Sequence, residues 1–182
     1  MTRREAIRLA AAAGLAPGLV AARPAAAITL DELKRLEREA VSASVAAEQR
    51  ATVALEALAN GGVLDDRTTA TVRILLDHAT QHADGLGHVF HDALGEDAPL
   101  APKRTAIPAL AAVRRRDDAL RLAEDLLERA IATHLHAVTR THKGEILKVI
   151  AGTVGSDAQG LVLLRQLLGE PPAPFAFERG RA

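Results

Sequence analysis

An all-α fold, a four-helix bundle of two antiparallel helix hairpins joined by a long crossover, is what the sequence predicts, and three observations predict it. Apolar residues recur at spacings of three and four in four separate stretches, and no stretch reads convincingly as a strand. Alanine and leucine dominate a chain that is 48% hydrophobic and 25% charged, which is globular usage with little material for β-structure. Short breaks separate the first stretch from the second and the third from the fourth, whereas a long segment carrying Pro99, Pro102 and Pro108 lies between the second and third.

Thr29, with Glu32 three residues on, has the form of a capping box and opens the first helix. Its apolar positions are Leu33, Leu36, Ala40, Ala47, Ala51, Leu55 and Leu58, and Asn60-Gly61-Gly62 ends it. Asp66 opens a second helix with the stripe Val72, Leu75, Ala79, His82, Leu86, Phe90 and Ala93, stopped by Gly95. Asp117 is expected to cap a third, with Leu120, Ala123, Leu127, Ala130, His134 and Val138 on one face. After a turn near His142 to Gly144, a fourth carries Ile146, Ile150, Thr153, Asp157, Leu161, Leu164 and Leu168, and Gly169 and Pro171 stop it.

Composition excludes several function classes. The 182 residues suit one domain, and 23 basic residues balance 23 acidic ones, so no basic nucleic-acid footprint is expected. The absence of cysteine removes disulfides, thiolate metal sites and cysteine nucleophiles. Three Phe with no Tyr or Trp leave no platform for stacking bases or sugars. No catalytic Ser/His/Asp order and no phosphate-binding glycine loop is present.

Residues 1–27 read as an address. Arg3-Arg4 precedes an apolar run from Leu9 to Val20, and Ala25-Ala26-Ala27 supplies small residues for cleavage, a pattern that resembles a twin-arginine export signal. The run is shorter than the ~20 residues a spanning helix needs, and no other segment is expected to span. The expected exported chain, residues 28–182, is the bundle with a short Pro-rich tail. It loses four arginines and one glutamate with the signal and becomes mildly acidic.

The informative residues are the polar ones standing in apolar stripes: Glu48 in the first helix, His82 in the second, His134 in the third and Asp157 in the fourth. Buried unpaired charge costs several kcal/mol, so such groups must pair, neutralise or bind a metal. Gly155-Ser156-Asp157-Ala158-Gln159-Gly160, Leu163-Leu164-Arg165-Gln166-Leu167-Leu168-Gly169 and the tail from Pro171 to Glu178 resemble the fourth helix and tail of actinobacterial ferritin-like domain proteins. The likeness extends over most of residues 30–178, His82-Ala83-Asp84 and Ala47-Glu48 included.

That resemblance implies a ferritin-like bundle with a di-metal site built from two lone glutamates and two Glu-x-x-His pairs. On this sequence the implied slots hold Glu48 and Leu127, Ala79 and His82, and Asp157 and Gly160, with His134 in a tyrosine slot; half of the set is erased. It therefore implies a degenerate site, no di-iron, and either no cofactor or a single transition metal ion.

Alternatives stay open at each residue. Glu48 and His82 are retained ligands or a carboxylate bonded to an imidazole across the bundle. His78 and His82, at i and i+4, could chelate one Zn, Cu or Ni ion, or His78 is a flanking polar residue. Glu124 and Glu128 could turn inward as ligands and complete an oxidase or ferroxidase site with His78, or they pair with Arg121 or Arg129 on a solvated face. His88 and His91 read as surface or interface residues, leaving room for a homodimer or partner-protein contact.

Overall fold

Thr29 and Asp65 start the first two helices. The Thr29 hydroxyl accepts from the backbone N–H of Glu32 at 3.2 Å, and the Asp65 carboxylate from that of Thr68 at 2.9 Å, each satisfying a donor that a helix N-terminus leaves orphaned. The computed structural model describes residues 29–174. Among them are α1 (Leu30–Ala59), α2 (Asp66–Leu94), α3 (Arg116–Val138) and α4 (Gly144–Leu168), with two single 3₁₀ turns, Arg104–Ala106 and Pro108–Ala112, and no strand. The fold is a four-helix arrangement of two hairpins, as the periodicity predicts. The export signal expected over residues 1–27 lies outside the described residues, as does the end of the tail.

Glycines terminate α2 and α4 for a conformational reason. Gly95 and Gly169 take φ of 71° and 75°, the left-handed region that a side chain disfavours, and their N–H groups close the last turns. One expected cap is corrected. Asp118, not Asp117, closes the start of α3, its carboxylate accepting from the backbone N–H of Arg114 at 3.1 Å and Arg115 at 3.0 Å. From the third position of the helix, the side chain reaches back to the preceding residues; Asp117 instead pairs with the neighbouring Arg116.

Contacts at the two ends give the directions of the helices. At one end, Glu37 near the start of α1 accepts from the backbone of His142 and Lys143 at the start of α4, and the Lys143 ammonium donates to the carbonyl of Ala93 at the end of α2. At the other end, Arg116 at the start of α3 bonds the carbonyl of Leu167 at the end of α4 and contacts Asp65 and Thr68 at the start of α2. Both hairpins are therefore antiparallel, α2 runs parallel to α3, and the crossover over residues 95–115 must travel the length of the bundle. It lies along α1 and α3. There Ile107 buries against Ala54 and Leu126, the Gln49 amide donates to the carbonyl of Pro99 at 2.6 Å, and Arg50 donates to that of Ala106.

The core is apolar at both ends and polar between. One cluster joins Val41, Val45, Leu86, Phe90, Ile146 and Ile150; the larger joins Leu55, Leu75, Leu120, Leu127, Ile131 and Leu161. Contrary to the expectation that no segment beyond the leader could span, α4 is long and apolar enough to cross a bilayer by length and composition. Here its apolar stripe packs into the core, and Asp157 and Arg165 are buried on the same helix.

Candidate metal centre

Each helix brings one ionisable side chain to the level between the apolar clusters. Glu48 (α1) and His134 (α3) are fully enclosed at 0% exposure, Asp157 (α4) retains 4%, and the His82 (α2) side chain retains 16%. His134 Nε2 donates to Glu48 Oε1 at 2.7 Å, the one hydrogen bond of the layer. Its Nε2 lies 3.7 Å from Asp157 Oδ2, and His82 Nδ1 lies 3.4 Å from Glu48 Oε2 and 3.5 Å from Asp157 Oδ1. These three contacts have ion-pair distances without hydrogen bonds. Glu48 Oε2, His82 Nδ1, His134 Nδ1 and Asp157 Oδ2 consequently have no hydrogen-bond partner among the described residues. A native interior satisfies nearly all such atoms, so four in one layer demand an explanation.

The charges interact strongly. Burial pushes the Glu48 carboxyl up, but contacts with His134 and His82 outweigh it and hold it below the ordinary glutamate value. Burial lowers His82, yet Asp157 and Glu48 more than reverse this and raise it to about 9. Asp157 is pushed up to about 6, by burial first and by the Glu48 charge, against the pull of the two imidazoles. A buried carboxylate raised towards neutrality and an imidazole held protonated between two acids are groups that a cation would relieve.

The spacing suits one ion. Glu48, His134 and Asp157 offer ligand atoms that all lie within 4.8 Å of one another. A tetrahedral ion with bonds of ~2.1 Å separates its donors by ~3.4 Å. Three of the contacts in the layer, at 3.4, 3.5 and 3.7 Å, are already close to that edge, and the 2.7 Å bond would open by less than ~1 Å. His82 touches both carboxylates from the solvent side but lies outside the group of three whose ligand atoms all fall within 4.8 Å of one another.

The remaining positions of the set that the resemblance implies are apolar. Ala79, Leu127 and Gly160, which fill the other implied slots, are buried beside the larger apolar cluster, and they supply no donor. A Cβ on Gly160 would lie 2.9 Å from Leu127 Cδ1 and 3.0 Å from Leu75 Cδ2, so leucine methyls already occupy the space a ligand there would need.

Glu124 and Glu128 are bonded elsewhere, which corrects the ligand reading and the solvated-face reading, while the expected pairing of Glu124 with Arg121 is present. Neither joins the layer and neither lies on a solvated face: Arg165 Nε donates to Glu124 at 3.1 Å and its guanidinium to Glu128 at 2.9 Å, with all three residues buried. Arg121 also reaches Glu124, and Arg129 pairs with Asp125. His78 is exposed, its Nδ1 3.5 Å from the Ser156 hydroxyl, and its ring centroid lies 6.3 Å from that of His82. His82 turns its Nδ1 to the carboxylates, and with Glu124 and Glu128 bonded to Arg165 the completion of an oxidase site by Glu124, Glu128 and His78 loses its two acids.

His134 is the ligand candidate that sequence reasoning underused. Its place in the α3 stripe was a sufficient signal, but the resemblance assigned it a tyrosine slot. Arg165, one residue past Leu164 in the α4 stripe, gave no such signal. Scans against protein-family models, curated proteins and solved structures return no match to this chain.

Proposed function

We propose that the protein is an exported, ferritin-like helical bundle whose interior layer holds a single divalent transition ion in a structural or weak-binding role. The ion would sit on Glu48, His134 and Asp157, with His82 closing it from the solvent side. The observation that carries this reading is the convergence of donors from three helices within 4.8 Å while four polar atoms of the layer lack hydrogen-bond partners. The mix of two imidazoles and two carboxylates favours ions of the zinc, nickel or copper type over calcium or magnesium. The parallel middle helices and long crossover support the ferritin-like reading, because that connectivity belongs to the bundle type the C-terminal resemblance implies. Export rests on Arg3-Arg4 and Ala25-Ala26-Ala27.

The test is titration of chelator-treated, folded protein with Zn²⁺ or Co²⁺. One equivalent should bind per chain, with stabilisation of ~2.7 kcal/mol at a free ion concentration a hundred times Kd. Glu48→Gln and Asp157→Asn should each weaken binding at least tenfold. Two irons per chain with their oxidation, or no ion at all, would overturn the assignment. For export, Arg3→Lys combined with Arg4→Lys should leave precursor in the cytoplasm, and N-terminal sequencing should place cleavage near Ala27. Met1 or Thr2 at the terminus of exported protein counts against it.

A further inference from the structure

Three of the four residues in the layer are sealed from solvent, and only His82 spans the seal. Its Nδ1 faces the two carboxylates at 3.4 and 3.5 Å, while its ring lines a groove of about 460 Å³ between α2 and α4. Two mid-helix glycines open that groove. A Cβ at Gly152 would meet nothing within 4 Å, and one at Gly85 would meet only Val149 Cγ1 at 4.0 Å. Glycine in a helix interior costs ~1 kcal/mol relative to alanine, so both helices forgo stability where the groove runs. Glu145 stands in the groove wall beside Lys148, a carboxylate that a cation can meet before His82.

The opposite approach differs in each respect. A cavity of about 380 Å³ lies between α1 and α3 beneath the crossover, but none of the four layer residues lines it. Its charged lining residues are Arg50 and Arg129 with no acid among them, whereas Glu145 offsets Lys148 in the groove between α2 and α4.

We propose that the groove between α2 and α4 is the port by which a divalent cation reaches and leaves the Glu48, His134 and Asp157 site, with His82 as the transfer ligand at its floor. This rests on the single-ion reading above. A hydrated ion enters beside Glu145, exchanges a water for His82, and passes to the enclosed donors, shedding its remaining waters along the same groove.

Gly152→Leu tests it, because the open space at that position admits a side chain that covers the groove without entering the core. In stopped-flow experiments with Co²⁺, uptake and release to EDTA should both slow at least tenfold, with stoichiometry and Kd unchanged. Gly85→Leu should act in the same direction. Gly152→Ala, which stiffens the helix but leaves the groove open, should keep rates close to wild type, as should Ala43→Leu in the opposite cavity. Wild-type rates in both leucine plugs overturn the port. So does an equal slowing in Gly152→Ala, which would assign the effect to helix breathing, or a slowing in Ala43→Leu, which would move the entrance to the other face. Failure of the wild type to bind Co²⁺ at equilibrium sinks the single-ion reading and the port with it, whereas binding with unchanged plug rates sinks the port alone.

Discussion

Arg165 and Glu48 are both buried in the same bundle, yet their surroundings treat charge in opposite ways. Around Arg165 the guanidinium donates to Glu124 and to Glu128, and Arg121 reaches Glu124 from outside and also meets Glu170. Two acids and one enclosed cation make a structural bolt between α3 and α4, held by charge-assisted bonds. In the layer of Glu48, His82, His134 and Asp157, two acids and two imidazoles share one hydrogen bond, at 2.7 Å, and four of their buried atoms have no hydrogen-bond partner among the described residues. Burial alone therefore does not mark a functional group. Whether the buried atoms are bonded by the protein's own residues separates a fastening from a candidate donor set.

The largest effect that would break this contrast is on the bolt. Arg165→Met removes the enclosed cation between Glu124 and Glu128, leaving Glu124 the outer Arg121, and should cost ~3–5 kcal/mol in urea denaturation. Adding Glu124→Gln and Glu128→Gln should recover most of the loss. Asp157→Asn in the ion-free chain should change stability by less than ~1 kcal/mol, since the fold gains little from that carboxylate's charge. Equal losses at the two places would erase the distinction.

A smaller effect concerns pH. His82 is raised from its ordinary value of 6.5 to about 9 in the folded chain, so its contribution is fully present below pH 6.5 and is lost as pH rises through 9. Ion-free protein should lose stability across that window with a slope approaching ~1.4 kcal/mol per pH unit. Glu48, held below its ordinary value, and Asp157, at about 6, titrate below most of the window. His82→Gln should flatten the slope; an unchanged slope would mean that the imidazole is not held by the two acids. A further modest effect is at Gly160, where Gly160→Ala should cost ~1 kcal/mol. The methyl meets Leu127 and Leu75, and the strain of ~1–3 kcal/mol exceeds the ~1 kcal/mol gain in helix propensity. A stabilised variant would show that this half of the core has room for ligands.

The helices could be read from the sequence because each buries one stripe, and a stripe is a local property. Val72, Leu75, Ala79, Leu86 and Phe90 are all buried, as their spacing requires. Residues beside a stripe escaped that reading. Glu37 and Arg165 sit next to apolar positions, and their long side chains turn inward because a partner on another helix receives them: the backbone of His142 and Lys143 for one, the acids of α3 for the other. Val138, assigned to the stripe of α3, is 38% exposed as the last residue of the helix. The bond between Glu48 and His134 depends on how far one hairpin is displaced along the other, and no single helix carries that information. Sequence placed both residues in the core stripe but could not pair them.

Each hairpin contributes one acid and one base to the layer, Glu48 and His82 from the first, His134 and Asp157 from the second. Apolar side chains of similar size on either side would tolerate sliding one hairpin against the other by a turn, ~5.4 Å along the axis. The layer does not: such a slip breaks the bond between His134 and Glu48 and strands four ionisable groups among leucines and valines. The same residues that offer a place for an ion therefore set the register in which the two halves of the chain meet, in the manner of a polar residue that fixes the alignment of a coiled coil.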